Sequence, residues 1–134
     1  MPLVRVAVIA LAFMLAASCS GRSDERPRAE RVAADFYTAV AQQDGAAACA
    51  LLAPQTLHEV EQSAKQPCAE AITDEDLPDD LGLVSAATVY GNEAVVAAVG
   101  DTVFVSDFDG AWRIVAVGCT SQGDLPYDCE IKGG

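Results

Sequence analysis

Few side chains in this 134-residue chain are of a type and spacing that could do chemistry. They are five cysteines, one histidine, and an aspartate that strand pairing would set opposite the single tryptophan. Asp107 and Trp112 flank a turn signal at Asp109-Gly110. A carboxylate buried beside an indole would have a raised pKa and could act as a general base or grip a ligand. Asp107 also sits next to a hairpin turn, where acids are ordinarily exposed, so it is a weak catalytic candidate. His58 stands one residue after Leu57 on an expected helix, near its polar boundary, which suits a solvated histidine. The chain has no Gly-x-Ser-x-Gly elbow, no Gly-x-Gly-x-x-Gly run and no phosphate loop. No cofactor is expected. Cys-x-x-Cys is absent as well, which counts against a zinc or redox centre. Tyr37, Tyr90 and Tyr127 carry hydroxyls that need partners if buried, and nothing ties them to a reaction.

The elements that must position these residues centre on 83–118. Three dipeptides that tolerate positive φ, Gly91-Asn92, Gly100-Asp101 and Asp109-Gly110, divide it into four short strands of an antiparallel meander. Symmetric loops would pair Phe104 with Val115, Val105 with Ile114 and Asp107 with Trp112. One face would then carry Ala87, Val96, Val105 and Ile114, flanked by Ser85, Ala98, Val103 and Ala116. The other would carry Ala86, Ala97, Phe104 and Val115, flanked by Thr88, Val95, Ser106 and Arg113. The first is the more apolar and should meet the helices; the second should be partly wet. A slip of one residue would exchange them.

Upstream, Val32, Phe36 and Val40 recur at helical spacing over 29–43, with Ala33 and Tyr37 alongside. Asp44 can cap a helix over 45–53, and Pro54 fits the first turn of another over 54–64. Residues 68–72 add one turn. Residues 73–80 form an acidic stretch without the glycine and glutamate of a calcium loop, so a solvated connector is expected. Residues 120–126 read as a loop and 127–131 as a short edge strand. The fold class is therefore α+β: N-terminal helices packed on a curved antiparallel meander of four to five strands.

The formal net charge is −12, from 8 basic and 20 acidic residues. From residue 32 onward only Lys65, Arg113 and Lys132 oppose 17 acids, leaving −14. Phosphate backbones are bound by Lys and Arg patches, so nucleic acid is excluded as a partner. An anionic lipid surface would repel this part of the chain.

The N-terminus carries an address. Arg5 precedes an apolar run over 6–17, too short for a comfortable membrane span. Leu15-Ala16-Ala17-Ser18-Cys19 follows, and resembles the bacterial lipoprotein signal, a small or aliphatic triplet ending at a cysteine. That resemblance implies a signal peptide over 1–18, acylation of Cys19 (palmitate or a similar chain), and a protein anchored by lipid to the outside of the cell membrane. Ala16, where leucine is commonest, departs from the pattern. The alternative is an ordinary cleaved signal with Ala16-Ala17-Ser18 as its small-residue site. Residues 19–28 read as a flexible tether and 29–134 as one domain.

If Cys19 takes lipid, Cys49, Cys68, Cys119 and Cys129 remain, an even number in an oxidising compartment. Of three pairings, Cys49–Cys68 with Cys119–Cys129 is preferred because each closes a local loop.

Helices followed by a meander resemble the nuclear transport factor 2-like (cystatin-like) fold, in which a curved sheet wraps the first long helix as a cone. Ala34-Asp35-Phe36-Tyr37, Ala48-Cys49-Ala50-Leu51-Leu52, Pro67-Cys68-Ala69-Glu70-Ala71, Asp109-Gly110-Ala111-Trp112-Arg113-Ile114 and Pro126-Tyr127-Asp128-Cys129 resemble stretches of small secreted actinobacterial lipoproteins of unassigned function. The resemblance implies a pocket between helix and sheet. The fold also serves isomerases and cyclases that use a pocket acid, so it does not itself imply a function. The expected function is a non-enzymatic envelope module. It would bind a small apolar ligand in the cone, or an envelope protein on the face around Thr88, Val95, Phe104 and Arg113. The alternative is an isomerase- or cyclase-like enzyme using Asp107.

Overall fold

The computed structural model describes residues 25–78 and 84–133. The signal segment, Cys19, most of the tether and part of the acidic stretch lie outside the described residues.

Four helices precede five strands. They are α1 (Glu25–Ala41), α2 (Gly45–Ala50), α3 (Pro54–Ala64) and α4 (Cys68–Ala71), then β1 (Val84–Tyr90), β2 (Glu93–Ala98), β3 (Asp101–Phe108), β4 (Ala111–Gln122) and β5 (Leu125–Lys132). The strands form one open antiparallel sheet in sequence order. The fold is thus α+β, as the order of periodicities predicts.

α1 begins at Glu25, so the last four residues assigned to a tether are helical. Pro27 costs no hydrogen bond there, because first-turn N–H groups have no intrahelical acceptor. Glu25 is held from outside the helix: Trp112 Nε1 donates to its Oε2 at 2.5 Å. Its Oε1 takes Arg28 Nη1 at 3.0 Å, and Arg28 also reaches the Gly110 carbonyl. The helix start is therefore fixed by the β3–β4 hairpin, a contact that local composition cannot show.

Along α1 the buried stripe is Ala29, Val32, Ala33, Phe36, Tyr37 and Ala39. Its alanines bring the helix close to the sheet, and Phe36 fills the centre with Val96, Val103, Val105 and Ile114, all fully buried. The Asp44 side chain caps α2 by accepting from Ala47 N at 3.0 Å. A Cβ on Gly45 would lie 1.9 Å from the Ala69 carbonyl oxygen, so glycine is what lets α2 approach α4. The Cys49–Cys68 disulfide then ties those two short helices together.

The sheet differs from the symmetric pairing at several points, one of them a break in β1 that pairs Val84 instead of Ser85 with Ala98. Ala98 pairs with Asp101, which makes Val99-Gly100 the β2–β3 turn instead of Gly100-Asp101. Val96 consequently faces Val103, two residues from Val105. A slip of two leaves every side chain on its own face, so Ala87, Val96, Val105 and Ile114 are all buried. Next, Val105 pairs with Ile114 and Asp107 with Trp112 as expected, but Phe104 pairs with Ala116, because Val115 is an extra residue in the ladder. Finally, β4 continues to Gln122 and β5 starts at Leu125. The segment 120–126 is a hairpin turning at Gly123 (φ 69°), and Pro126 is accommodated because β5 is an edge strand.

β5 ends beside Ala116, which leaves the first half of β4 without a fifth strand. The link between α2 and α3 covers that edge. Ala53 N donates to the Ile114 carbonyl (2.8 Å) and Ile114 N to the Leu51 carbonyl (2.9 Å). On the opposite edge, Glu30 Oε1 accepts from Ala87 N of β1 at 3.0 Å. Both edges are blunted by residues from the helical half.

Candidate functional site

Asp107 is engaged in its own hairpin. Its Oδ1 accepts from Gly110 N at 2.7 Å, and its backbone N donates to the Asn92 carbonyl at 2.7 Å. Trp112 is its register partner, yet the indole N–H belongs to Glu25. The pair is therefore a turn cap beside a helix staple, with no arrangement for proton abstraction. His58 is exposed on α3. Cys119 and Cys129 pair across β4 and β5, joined by the second disulfide. Among the described residues, no group of three or more His, Cys, Asp or Glu is placed to hold a metal ion.

Among the described residues Asp101 is the buried carboxylate, 7% exposed at the start of β3. Oδ1 accepts from Thr102 N and Cys119 N, each at 2.6 Å, and Oδ2 from Gly118 N at 3.1 Å. Burial pushes its pKa above the ordinary aspartate value, and the three N–H groups act against that rise. Gly118 takes φ 69°, so the carboxylate locks an irregular point of β4 to the β2–β3 turn. It is satisfied internally and serves the fold.

An unfilled requirement lies elsewhere. The end of α1 (Tyr37, Thr38, Val40, Ala41), with Gln42 and Gln43, forms one wall of a recess of about 450 Å³. Thr73, Glu75, Leu77 and Pro78 form the other. Tyr37 is 3% exposed, packed edge-on against Phe36 with ring centroids 5.5 Å apart. Its hydroxyl is buried and makes no hydrogen bond. Such a group costs about 1–3 kcal/mol. Thr38 and Thr73 spend their hydroxyls on the Ala34 and Glu70 carbonyls within their own segments. Partial burial, then Glu130 and Asp74, push the Glu75 carboxyl above its ordinary pKa. Two terminal amides, one carboxylate and aliphatic side chains line the recess beside the covered Tyr37 hydroxyl, a mixture that can hold a small amphipathic molecule.

A second concavity, about 310 Å³, lies on the outer face of the sheet, lined among others by Tyr90, Val95, Phe104 and Val115. Tyr127 meets Phe104 edge-on at 5.1 Å. This is the mixed face, with Tyr90 64% and Tyr127 40% exposed.

In the sequence Tyr37 is only a hydroxyl in need of a partner, and Glu75 belongs to a stretch expected to be a solvated connector. The available signal was a phenol on the core-facing stripe of α1. That Glu75 would stand opposite it depends on how α4 and the following turn pack. Comparison with protein-family models, with curated proteins and with solved structures finds no match to this chain.

Proposed function

We propose that this chain is a non-enzymatic, lipid-anchored envelope module that binds a small molecule in the recess at the C-terminal end of α1. In this reading the sheet and α1 make a cystatin-like cone, with the recess as its opening. Register breaks in three of the four ladders support the curvature that a cone needs. The Leu15–Cys19 signal and the even cysteine remainder, closed in two disulfides, support the extracytoplasmic placement. The observation that carries the binding reading is that Tyr37, which lines the recess, keeps a covered hydroxyl with no hydrogen-bond partner, which a ligand could satisfy once it opens that cover. Binding sites are where proteins leave polar groups unsatisfied until a ligand arrives. The wall mixes polar and aliphatic groups, which favours an amphipathic ligand over a purely apolar one.

The anchor is tested by Cys19→Ala: the wild-type chain should partition with membranes and the variant should not. The site is tested on the mature chain carrying Cys19→Ser, with both disulfides formed, by amide NMR against a set of small amphipathic molecules. Shifts should gather at Thr38, Gln42, Gln43 and Thr73. Shifts gathering at Val95 and Phe104 instead would favour a second reading, a protein partner on the outer face, for which the exposed Tyr90 and Tyr127 speak.

A further inference from the structure

We infer that the ligand of this recess is a small organic cation. Glu75 would supply its counter-charge, the Tyr37 hydroxyl its hydrogen bond, and Val40 and Leu77 the contact for its aliphatic part. The inference rests on the reading that the recess is the binding site, and it adds the ligand's charge.

Among the described residues, Glu75 is the one formally charged side chain lining the recess. It also lines an adjoining hollow with Glu59, Glu130 and Lys132, where acids outnumber the single lysine. Among the described residues the only salt bridge is Arg28–Glu25, and none involves Glu75. An anion entering here would meet uncompensated negative charge. A neutral donor could give Glu75 a hydrogen bond but would not offset its charge. A cation would offset both the burial of the Glu75 charge and its repulsion from Glu130 and Asp74, which together raise the Glu75 pKa. The domain's large negative charge would also draw cations toward the opening.

The choice between an inorganic and an organic cation follows from the rest of the wall. Calcium takes six to eight oxygens, and no three acidic, histidine or cysteine ligands converge among the described residues. Val40, Ala41, Leu77 and Pro78 give aliphatic surface that a bare ion cannot use. An alkylammonium with a hydroxyl satisfies all three demands: charge at Glu75, a partner for the Tyr37 oxygen, and carbon against the floor.

The test uses the mature chain carrying Cys19→Ser, with both disulfides formed, and two matched pairs of probes. Choline is compared with its neutral isostere 3,3-dimethylbutan-1-ol, and butylammonium with butan-1-ol, by amide shifts at Thr38, Gln42, Gln43 and Thr73. The expected result is that both cations bind more tightly than their neutral partners, that added salt weakens them, and that Glu75→Gln weakens the cations alone, by about three- to tenfold. Equal binding of cation and isostere, unchanged in Glu75→Gln, would overturn the charge inference and leave the recess as a site. If none of the four probes shifted these amides, both the inference and the site would fall. Tyr37→Phe provides an independent variant, expected to weaken choline and its isostere alike.

Discussion

Removing the Tyr37 hydroxyl should make this protein more stable. In Tyr37→Phe the ring keeps its packing against Phe36 and loses one buried oxygen that has no hydrogen-bond partner. Most Tyr→Phe changes in cores are costly because a bond is broken; here none is present to break. The desolvation cost of an unpaired polar atom is about 1–3 kcal/mol. Against its removal stand the dispersion contacts of one atom and the small void it leaves, a few tenths of a kcal/mol in all. The expected net gain is about 1 kcal/mol, or about 4 °C in melting temperature for a domain of this size. Urea unfolding under non-reducing conditions measures it. Trp112, the only tryptophan and itself 7% exposed, reports the loss of the core by fluorescence. Tyr127→Phe is the control, since that ring is 40% exposed and its change should stay within about 0.5 kcal/mol of zero. A destabilisation of about 1 kcal/mol or more in Tyr37→Phe would refute the reasoning, because it would mean the hydroxyl is satisfied in solution, for instance by a held water. Higher stability combined with weaker ligand binding is the pattern expected of a residue kept for function.

Asp101→Ala should cost about 2–4 kcal/mol in urea unfolding, because Thr102 N, Gly118 N and Cys119 N lose their acceptor together. Asp101→Asn should cost less, since an amide oxygen replaces one carboxylate oxygen while its NH₂ cannot accept. The raised pKa of Glu75 means that the folded protein holds this proton more tightly than the unfolded chain does. Its contribution to stability therefore falls as pH rises from the ordinary glutamate range through the folded value. Glu75→Gln should match wild type below that window and exceed it above, by only a few tenths of a kcal/mol, since the group is partly solvated; parallel melts across pH read the difference. Replacing both members of either disulfide by alanine should cost about 3 kcal/mol, slightly more for Cys49–Cys68, which spans 19 residues against 10. Equal melting temperatures before and after would show the bonds to be dispensable.

How much of this was legible beforehand follows from how local each feature is. The caps are local, so Asp44 before α2 and Pro54 at the start of α3 could be placed to the residue. The division of the sheet into a buried and a wet face is nearly local, because it depends only on parity. It survived a β2–β3 turn misplaced by one residue, since moving the turn centre by one shifts the pairing by two. The bulge at Val115 was not legible: the irregularity arises where β4 must serve β3, β5 and the Leu51–Ala53 link together. Nor was the start of α1, which Trp112 fixes from 87 residues away.

The candidate site divides along the same line. Composition by itself determined an acidic chain, poor in catalytic motifs, with five cysteines. Those are sums and short spacings, and they do not depend on where the chain goes in space. Asp107 and Trp112 were correctly placed opposite each other, yet the tertiary structure gave the indole to Glu25 and the carboxylate to Gly110 N. It set the Tyr37 phenol across a recess from Glu75, although 38 residues separate them. A hydroxyl becomes an orphan only when every neighbour that could have satisfied it has been placed, and that is settled by the packing of α1, α4 and the segment after it.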